Sequence, residues 1–343
     1  MIAAESTNLF AEARQAGAVI RSQLFANDGR VAALARRLRA APPEAVLTCA
    51  RGSSDHAATF AKYLIETRLG IVTASQAPSI ASLYRVPSRP GHALCIAISQ
   101  SGRSPDLLAT VDAAREAGAF ILALVNDEDS PLAKRADALI PLHAGIERSV
   151  AATKSYVGAL AALVHLVAAW SEDEELASAL AAAPALLDRA WRADWSVLAE
   201  KLRDVNGLYV IGRGLGLGVA QEAALKFKET CGLHAEAFSA AEIRHGPIAL
   251  AGPGFPLLVF RQSDETEDSV EKLAADVIAR GGEVLMAGPP APGAIALPSE
   301  AAHPAIEPML QIQSFYRAVN ALAVARGLDP DSPPHLAKVT ETV

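Results

Sequence analysis

Short apolar runs alternate with helix-like stretches along most of the chain. In the first half these runs are four to six residues long, and amphipathic or alanine-rich stretches separate them. Runs of this length between polar breaks are typical of buried strands, and strands that alternate with helices form parallel sheets covered on both faces. The pattern therefore predicts an α/β fold. The predicted strands lie at residues 45–50, 71–74, 93–98, 120–125 and 138–141.

The second half of the chain repeats this plan at a constant offset. Arg51–Gly52 and Arg213–Gly214 each follow an apolar run, and so do Gln100–Ser101 and Gln262–Ser263. The differences 213 − 51 and 262 − 100 are both 162. Two tandem flavodoxin-like modules, each a parallel sheet flanked by helices, are the simplest explanation. The expected boundaries are a helical leader at 1–44, a first module at 45–170, a helical linker at 171–200, a second module at 201–328 and a C-terminal tail at 329–343.

The apolar run at 93–98 ends in a turn rich in small polar residues. Residues 99–104 read Ser-Gln-Ser-Gly-Arg-Ser, and Pro105 suits the first turn of a helix because its missing N–H needs no partner there. Hydroxyls, an amide and backbone N–H groups at a helix N-terminus favour an anion, above all a phosphate. One serine alone is more simply an N-cap, but three in six positions favour the phosphate. Because GxxxxGK[ST] is absent, a small phosphorylated molecule fits better than a nucleotide.

The second copy of this turn differs in charge. There, Gln262 and Ser263 are followed by four carboxylates, those of Asp264, Glu265, Glu267 and Asp268. Carboxylates repel a phosphate. The sequence therefore predicts one phosphate site per chain, in the first module.

Composition narrows the classes of protein and partner. The chain has 343 residues, 51% of them hydrophobic, and a net charge of −7, which suits about two packed domains and argues against non-specific nucleic-acid binding. No stretch approaches the roughly 20 uninterrupted apolar residues of a membrane span, and residues 1–10 lack a signal core. We therefore expect a cytoplasmic protein without nucleic-acid or membrane partners. Cys49, Cys95 and Cys231 lack metal-ligand spacing and are expected to be reduced core residues.

Candidate acid–base residues lie in the second module. Glu222, Lys226 and Glu229 are separated by four and three residues, so a helix places them on one face. A solvent-facing ion pair between Glu222 and Lys226 explains the same spacing equally well. His245 stands before Gly-Pro in an otherwise apolar stretch, where a helix cap is the simpler interpretation.

Several separated motifs together resemble one family. The motifs are ARGSSDHA, SQSGRS, SVAATKS, EAALKFKET, AEAFSAAEIRHGP and the terminal HLAK. In order and spacing they resemble the sugar isomerase (SIS) family: the isomerase half of glucosamine-6-phosphate synthase and, more closely, type II glucosamine-6-phosphate deaminases. The resemblance covers nearly the whole chain after the leader.

The resemblance implies a binding role for two sets of residues. Val150 and Ala152 would line the sugar. The phosphate would be held by residues of two loops in the first module: Ser53, Ser54, Ser99, Gln100, Ser101 and Ser104. The implied ligand is a small-molecule sugar phosphate, with no metal or redox cofactor.

The resemblance also implies catalytic roles. Glu229 would move a proton between C2 and C1, with Glu222 and Lys226 supporting it, and His245 would assist ring opening. Because the family takes that histidine from the neighbouring subunit, a homodimer with shared active sites is expected. Lys338 in the tail would close over the open-chain sugar, although a lysine near a terminus is by itself more simply solvent-exposed.

Two departures from the synthase bear on the reaction. Residues 150–154 read VAATK where the synthase has VASTK, so a sugar-contacting hydroxyl is missing. Ile2 stands where the glutaminase domain of the synthase has its nucleophilic cysteine. Without internal delivery of ammonia, the same proton transfer run toward the ketose gives an imine at C2 that water hydrolyses. The expected reaction is deamination of glucosamine 6-phosphate to fructose 6-phosphate and ammonia.

Other functions stay open at this point. One is action on another amino-sugar phosphate: galactosamine 6-phosphate, which differs by one epimeric hydroxyl, or fructosamine 6-phosphate, cleaved by a deglycase. Another is a non-catalytic sugar-phosphate sensor, although the leader leaves little room for the helix-turn-helix domain that such regulators carry.

Overall fold

Two five-stranded parallel sheets organise the molecule, which a computed structural model describes over residues 3–338 except 88 and 90. Within those residues the strands are β1 (Ala45–Cys49), β2 (Thr73–Ser75), β3 (Ala93–Ser99), β4 (Phe120–Val125), β5 (Ala138–Pro141), β6 (Gly207–Gly212), β7 (His234–Ser239), β8 (Leu257–Phe260), β9 (Val284–Ala287) and β10 (Ile295–Leu297). The strand orders are β2-β1-β3-β4-β5 and β7-β6-β8-β9-β10. Both are the flavodoxin-like order 2-1-3-4-5. The predicted tandem repeat of one α/β module is confirmed.

Helices lie between most consecutive strands, and further helices precede, separate and follow the two sheets. They are α1 (Asn8–Ala13), α2 (Ala16–Ala40), α3 (Ser53–Leu69), α4 (Pro105–Glu116), α5 (Pro131–Arg135), α6 (Lys154–Ser171), α7 (Glu174–Ala190), α8 (Ser196–Leu202), α9 (Gly216–Cys231), α10 (Glu267–Ala279) and α11 (Glu307–Ala325). Parallel neighbours need a crossover connection, because a tight hairpin can join only antiparallel strands. Here the crossovers contain α3, α4, α5, α9 and α10.

The core of the first sheet forms around its central strand. All seven residues of β3 are buried, as expected for a strand covered on both faces. Leu107, Val111 and Ala114 of α4 pack into this core, and their spacing of four and three places them on one helical face. Cys49 and Cys95 lie in the same core. Both are free and buried, as is Cys231, and burial raises the pKa of each thiol to about 12.

The second strand begins later than the sequence pattern predicts. The apolar run suggests 71–74, but β2 spans Thr73–Ser75 and pairs in parallel with residues 46–48 of β1. Helix α3 ends at Leu69. Its C-cap Gly70 adopts a left-handed conformation (φ 69°), and the chain uses the next two residues to turn back toward the sheet. Val72 is consequently 68% exposed. After β2, Ile80–Tyr84 form a single π-helical turn.

The chain divides into two compact units that do not follow the order of the sequence. Among the described residues, 3–17, 147–154 and 182–336 form the second-sheet unit, and 18–87, 89, 91–146, 155–181 and 337–338 form the first-sheet unit. The helical leader expected at 1–44 is thus shared between both units. The helix Lys154–Ser171 is long and apolar enough for a membrane span by length and composition, but 83% of it is buried inside the protein, as in a core helix.

Candidate active site

The loops that follow β1 and β3 lie at the switch point of the first sheet. These strands are parallel neighbours, with Cys49 opposite Ala97, and the chain leaves them toward opposite edges of the sheet. Such a divergence opens a crevice at the carboxyl ends of the strands, where ligands of this fold class bind. The structure brings the predicted phosphate residues to this edge: Ser53 and Ser54 begin α3, Ser99 ends β3, Gln100 and Ser101 form the turn, and Ser104 precedes α4.

Internal contacts fix the turn after β3. The N–H of Gly102 donates to the Ser99 hydroxyl at 2.9 Å, and the N–H of Leu132 donates to the Gly102 carbonyl at 3.2 Å. Gly102 has φ +64°, and a side chain there would overlap the buried Ser130, whose Cβ is 2.7 Å from the position of an added Cβ. Glycine is therefore required at this position on two counts, conformation and space.

Two helices begin at this crevice without a capping side chain. Helix α3 starts after Gly52 (φ +55°) and α4 starts with Pro105 after Ser104. Within the described residues, no side chain accepts a hydrogen bond as the N-cap of either helix. A helix N-terminus carries partial positive charge and presents backbone donors. Two of them at one edge give a local environment suited to an anion in a protein whose net charge is negative.

The equivalent turn of the second module is occupied by a carboxylate of the protein itself. The N–H and hydroxyl of Ser263 donate to the two oxygens of Glu307, at 2.8 and 2.6 Å. The Gln262 amide donates to Gln311 at 2.8 Å. The acidic residues at 264–268 suggested electrostatic exclusion from sequence, but the carboxylate in the turn comes from α11. Because these donors are already used, this geometry supports the prediction of a single phosphate site.

A buried ion cluster lies on one face of α9. The Lys226 ammonium is 3.3 Å from Glu222 Oε1 and 2.5 Å from Glu229 Oε2. Lys226 and Glu222 are fully buried, whereas the Glu229 side chain is 20% exposed. Burial by itself lowers the pKa of Lys226, but the two carboxylates outweigh it and hold that pKa above its ordinary value. The pair of Glu222 and Lys226 is therefore not solvent-facing.

Tyr316 supports this cluster from α11. Its hydroxyl donates to Glu222 Oε1 at 3.1 Å. Glu222 is thereby held by Tyr316 and Lys226 together, and Lys226 in turn holds Glu229, the member of the cluster that meets solvent. Tyr316 was not predicted from sequence, because 94 residues separate it from Glu222 and no local pattern marks the contact.

Glu229 borders a cavity of about 510 Å³ in the second-sheet unit. The walls come from the C-terminal half of α9 and from residues that follow α11, including Asp329 and Ser332. Leu336 is the last of these wall residues, and Lys338, which is half-buried, follows two positions later. His245 is exposed at the end of a 3-10 helix, Glu242–His245, and does not cap an α-helix.

The segment that carries Val150 and Ala152 belongs to the same compact unit as Glu229. Glu12 of α1 accepts hydrogen bonds from the N–H groups of residues 148 and 149, at 2.5 and 3.1 Å. Glu147 accepts the N–H of Thr153 at 2.8 Å. Both carboxylates are buried, so the backbone on either side of Val150 and Ala152 is fixed. The role of Glu12 could not be predicted from the sequence, because the residues that it contacts are 136 and 137 positions away.

Comparison with protein families gives one match that covers most of the chain. The model of the SIS domain matches residues 41–169 and 201–287. These segments contain β1 to β5 and β6 to β9, the serine-rich turn of the first module and the helix that carries Glu229.

Three related proteins illustrate the range of similarity. The isomerizing glutamine–fructose-6-phosphate aminotransferase of Leifsonia xyli is 36% identical over 278 residues, 74% of this chain and 45% of that protein. The chain spans about half the length of the curated relatives it matches. A crystal structure of a candidate phosphosugar isomerase from Silicibacter pomeroyi is 41% identical, with a TM-score of 0.91, and covers 95% of this chain and 100% of its own. The glucosamine-6-phosphate deaminase of Thermotoga maritima shares the fold. It is 22% identical, with a TM-score of 0.79, and the match covers 98% of this chain and 100% of that protein.

Proposed function

This chain belongs to the SIS domain family of sugar-phosphate isomerases, and we propose that it deaminates glucosamine 6-phosphate to fructose 6-phosphate and ammonia. The observation that carries the proposal is the carboxylate of Glu229, partly exposed at a cavity and held at 2.5 Å by a fully buried ammonium. Proton transfer between adjacent sugar carbons needs a fixed base of this kind. A carboxylate on a helix whose neighbours are themselves held rigidly meets that need.

The proposed reaction uses each group for one step. The serine-rich turn of the first module holds the phosphate, which supplies binding energy remote from the reacting carbons. His245 carries the proton that opens the sugar ring, since an imidazole can both accept and donate a proton. Glu229 takes the proton from C2 and returns it to C1. The aldehyde oxygen O1 gains a proton and the amino nitrogen loses one in the same conversion, which leaves a hydroxyl at C1 and an imine at C2. Water adds to that imine, the C–N bond breaks, and ammonia leaves with the ketose as the second product.

The surroundings of the reacting carbons follow from the same proposal. Val150 and Ala152 line the sugar on a segment whose backbone is fixed by Glu12 and Glu147. Lys338 closes over the open-chain sugar from the tail. The exposed position of His245 supports its use by a neighbouring subunit of a homodimer. The proposal includes a location in the cytoplasm, no nucleic-acid or membrane partner and no metal or redox cofactor.

Ammonia release from a panel of amino-sugar phosphates tests the proposal. The panel contains glucosamine 6-phosphate, galactosamine 6-phosphate and fructosamine 6-phosphate, each assayed without glutamine. Glu229→Gln should lower kcat by at least about 100-fold, the usual contribution of a general base. Glu236→Gln, an exposed glutamate on β7, is the matched control and should leave the rate unchanged. A wild-type protein that binds these sugars and releases ammonia from none of them contradicts the proposal and favours the sensor.

A further inference from the structure

Arg51 occupies a position at the switch point that the proposed mechanism does not use. It follows β1, and its Nε and Nη2 groups donate to Asp106 Oδ2 at 2.9 and 2.8 Å. Asp106 lies in the first turn of α4 and is fully buried, while the Arg51 side chain is 51% exposed. The ion pair therefore joins the loop after β1 to the helix after β3, across the crevice of the first sheet.

Two carboxylates accompany the helix N-termini at this crevice. Asp55 and Asp106 stand in the first turns of α3 and α4, the two helices that begin there. Two carboxylates at these positions oppose the binding of a phosphate. Burial raises the pKa of the Asp55 carboxyl, and His56 and Arg51 offset part of that rise. Arg51 thus interacts with both carboxylates.

A second arginine of the turn makes a different contact. Arg103 pairs with Asp127 at 2.7 Å, and both side chains are more than one-third exposed. A surface pair of this kind contributes little and is screened by salt. Arg51, in contrast, has one side of its guanidinium fixed by a fully buried carboxylate, and its Nη1 group takes no part in those two bonds.

We propose that Arg51 is a phosphate-binding residue, positioned by Asp106, whose Nη1 group donates to an oxygen of the sugar phosphate. The inference rests on the phosphate site of the proposed function. A guanidinium suits this task because its planar set of donors can serve a carboxylate on one side and a phosphate oxygen on another. In a simpler role, Arg51 would only neutralise Asp106. Removing both charges in Arg51→Gln/Asp106→Asn would then leave the affinity for the sugar phosphate unchanged.

The test measures binding in Glu229→Gln protein, so that no turnover interferes. Titration calorimetry with glucosamine 6-phosphate, and in parallel with inorganic phosphate, compares this parent with Arg51→Gln and with Arg51→Gln/Asp106→Asn. The double variant leaves no unpaired buried charge, which guards against loss of folding. It should bind glucosamine 6-phosphate at least about tenfold more weakly than the parent, the effect expected for loss of one charge-assisted hydrogen bond. Arg103→Gln is the matched control and should change the affinity less than about threefold.

Affinity of the double variant equal to that of the parent would show that Arg51 serves only Asp106, and would overturn the inference. Equal losses in Arg51→Gln/Asp106→Asn and Arg103→Gln would do the same, because they would indicate a general effect of charge. A parent that binds neither glucosamine 6-phosphate nor inorganic phosphate removes the phosphate site and this inference with it. If binding depends on Arg51 but no ammonia is released by wild-type protein, the deaminase proposal fails and the inference stands.

Discussion

Three buried residues hold the side chain of Glu229 in position. Its carboxylate contacts Lys226, Lys226 contacts Glu222, and Glu222 accepts a hydrogen bond from Tyr316. The cluster contains two carboxylates and one ammonium. Of these three described residues, only Glu229 lines the cavity. Removing the central ammonium would leave two carboxylates close together without a counter-charge, which is far more costly than losing a surface ion pair.

Lys226→Met should therefore lower the free energy of unfolding by about 3–5 kcal/mol at pH 7, measured by urea denaturation. Because the folded pKa of Lys226 lies above the ordinary 10.5, its contribution to stability is complete below pH 10.5 and is lost as pH rises through the folded pKa. The difference between wild type and variant should shrink in that alkaline range. Lys228→Met, at an exposed position of the same helix, should change stability by less than about 0.5 kcal/mol. Equal effects of the two substitutions would refute the role of the buried cluster.

The helices and strands that depend on a local pattern of residues could be predicted from the sequence. The apolar run of β3, Pro105 at the start of α4 and the helical spacing of Glu222, Lys226 and Glu229 are all local, and the structure places each on the expected element. Contacts between distant parts of the chain could not be predicted. Glu12 accepts a hydrogen bond from the residue 136 positions away, and Tyr316 donates one to Glu222, 94 positions away. The late start of β2 has the same origin, since its register is set by pairing with β1.

Substitution of Gly102 tests whether the turn after β3 binds the phosphate. An added methyl group would strain φ +64° and overlap Ser130, so Gly102→Ala should lower stability by about 1–3 kcal/mol and weaken glucosamine 6-phosphate binding at least about tenfold. Gly118→Ala is the control: Gly118 also has positive φ (+90°) but open space around its Cα. It should lose stability without losing affinity, as measured by thermal unfolding and calorimetry. Unchanged affinity in Gly102→Ala would exclude this turn as the phosphate site.

The two modules share one fold, but the equivalent turns at their switch points differ. Both sheets have the order 2-1-3-4-5, and both place a turn with Gln-Ser at the switch point. The first turn keeps uncapped helix N-termini beside it, whereas the second is closed by Glu307. The repeat is visible in the sequence as an offset of 162, but the closure is not, because Glu307 lies 44 residues beyond Ser263.

If the active sites are shared between subunits, mixing two inactive variants should restore a defined fraction of the activity. Mixed Glu229→Gln and His245→Ala subunits would form dimers with one fully wild-type site, so an equal mixture with random exchange should recover about a quarter of wild-type activity. Neither variant alone should show that rate. Subunit exchange would be verified by native mass spectrometry. No recovery despite verified exchange would place Glu229 and His245 of one site on the same chain, or remove His245 from the mechanism.

Identification of the products formed from glucosamine 6-phosphate in the absence of glutamine would decide whether the protein is a deaminase. Nuclear magnetic resonance of the reaction would follow the carbon skeleton while an enzymatic assay follows ammonia. We expect fructose 6-phosphate and ammonia in equal amounts, and the loss of both in Glu229→Gln. A product that retains its nitrogen, or no product from a protein that binds the sugar phosphate, would contradict it.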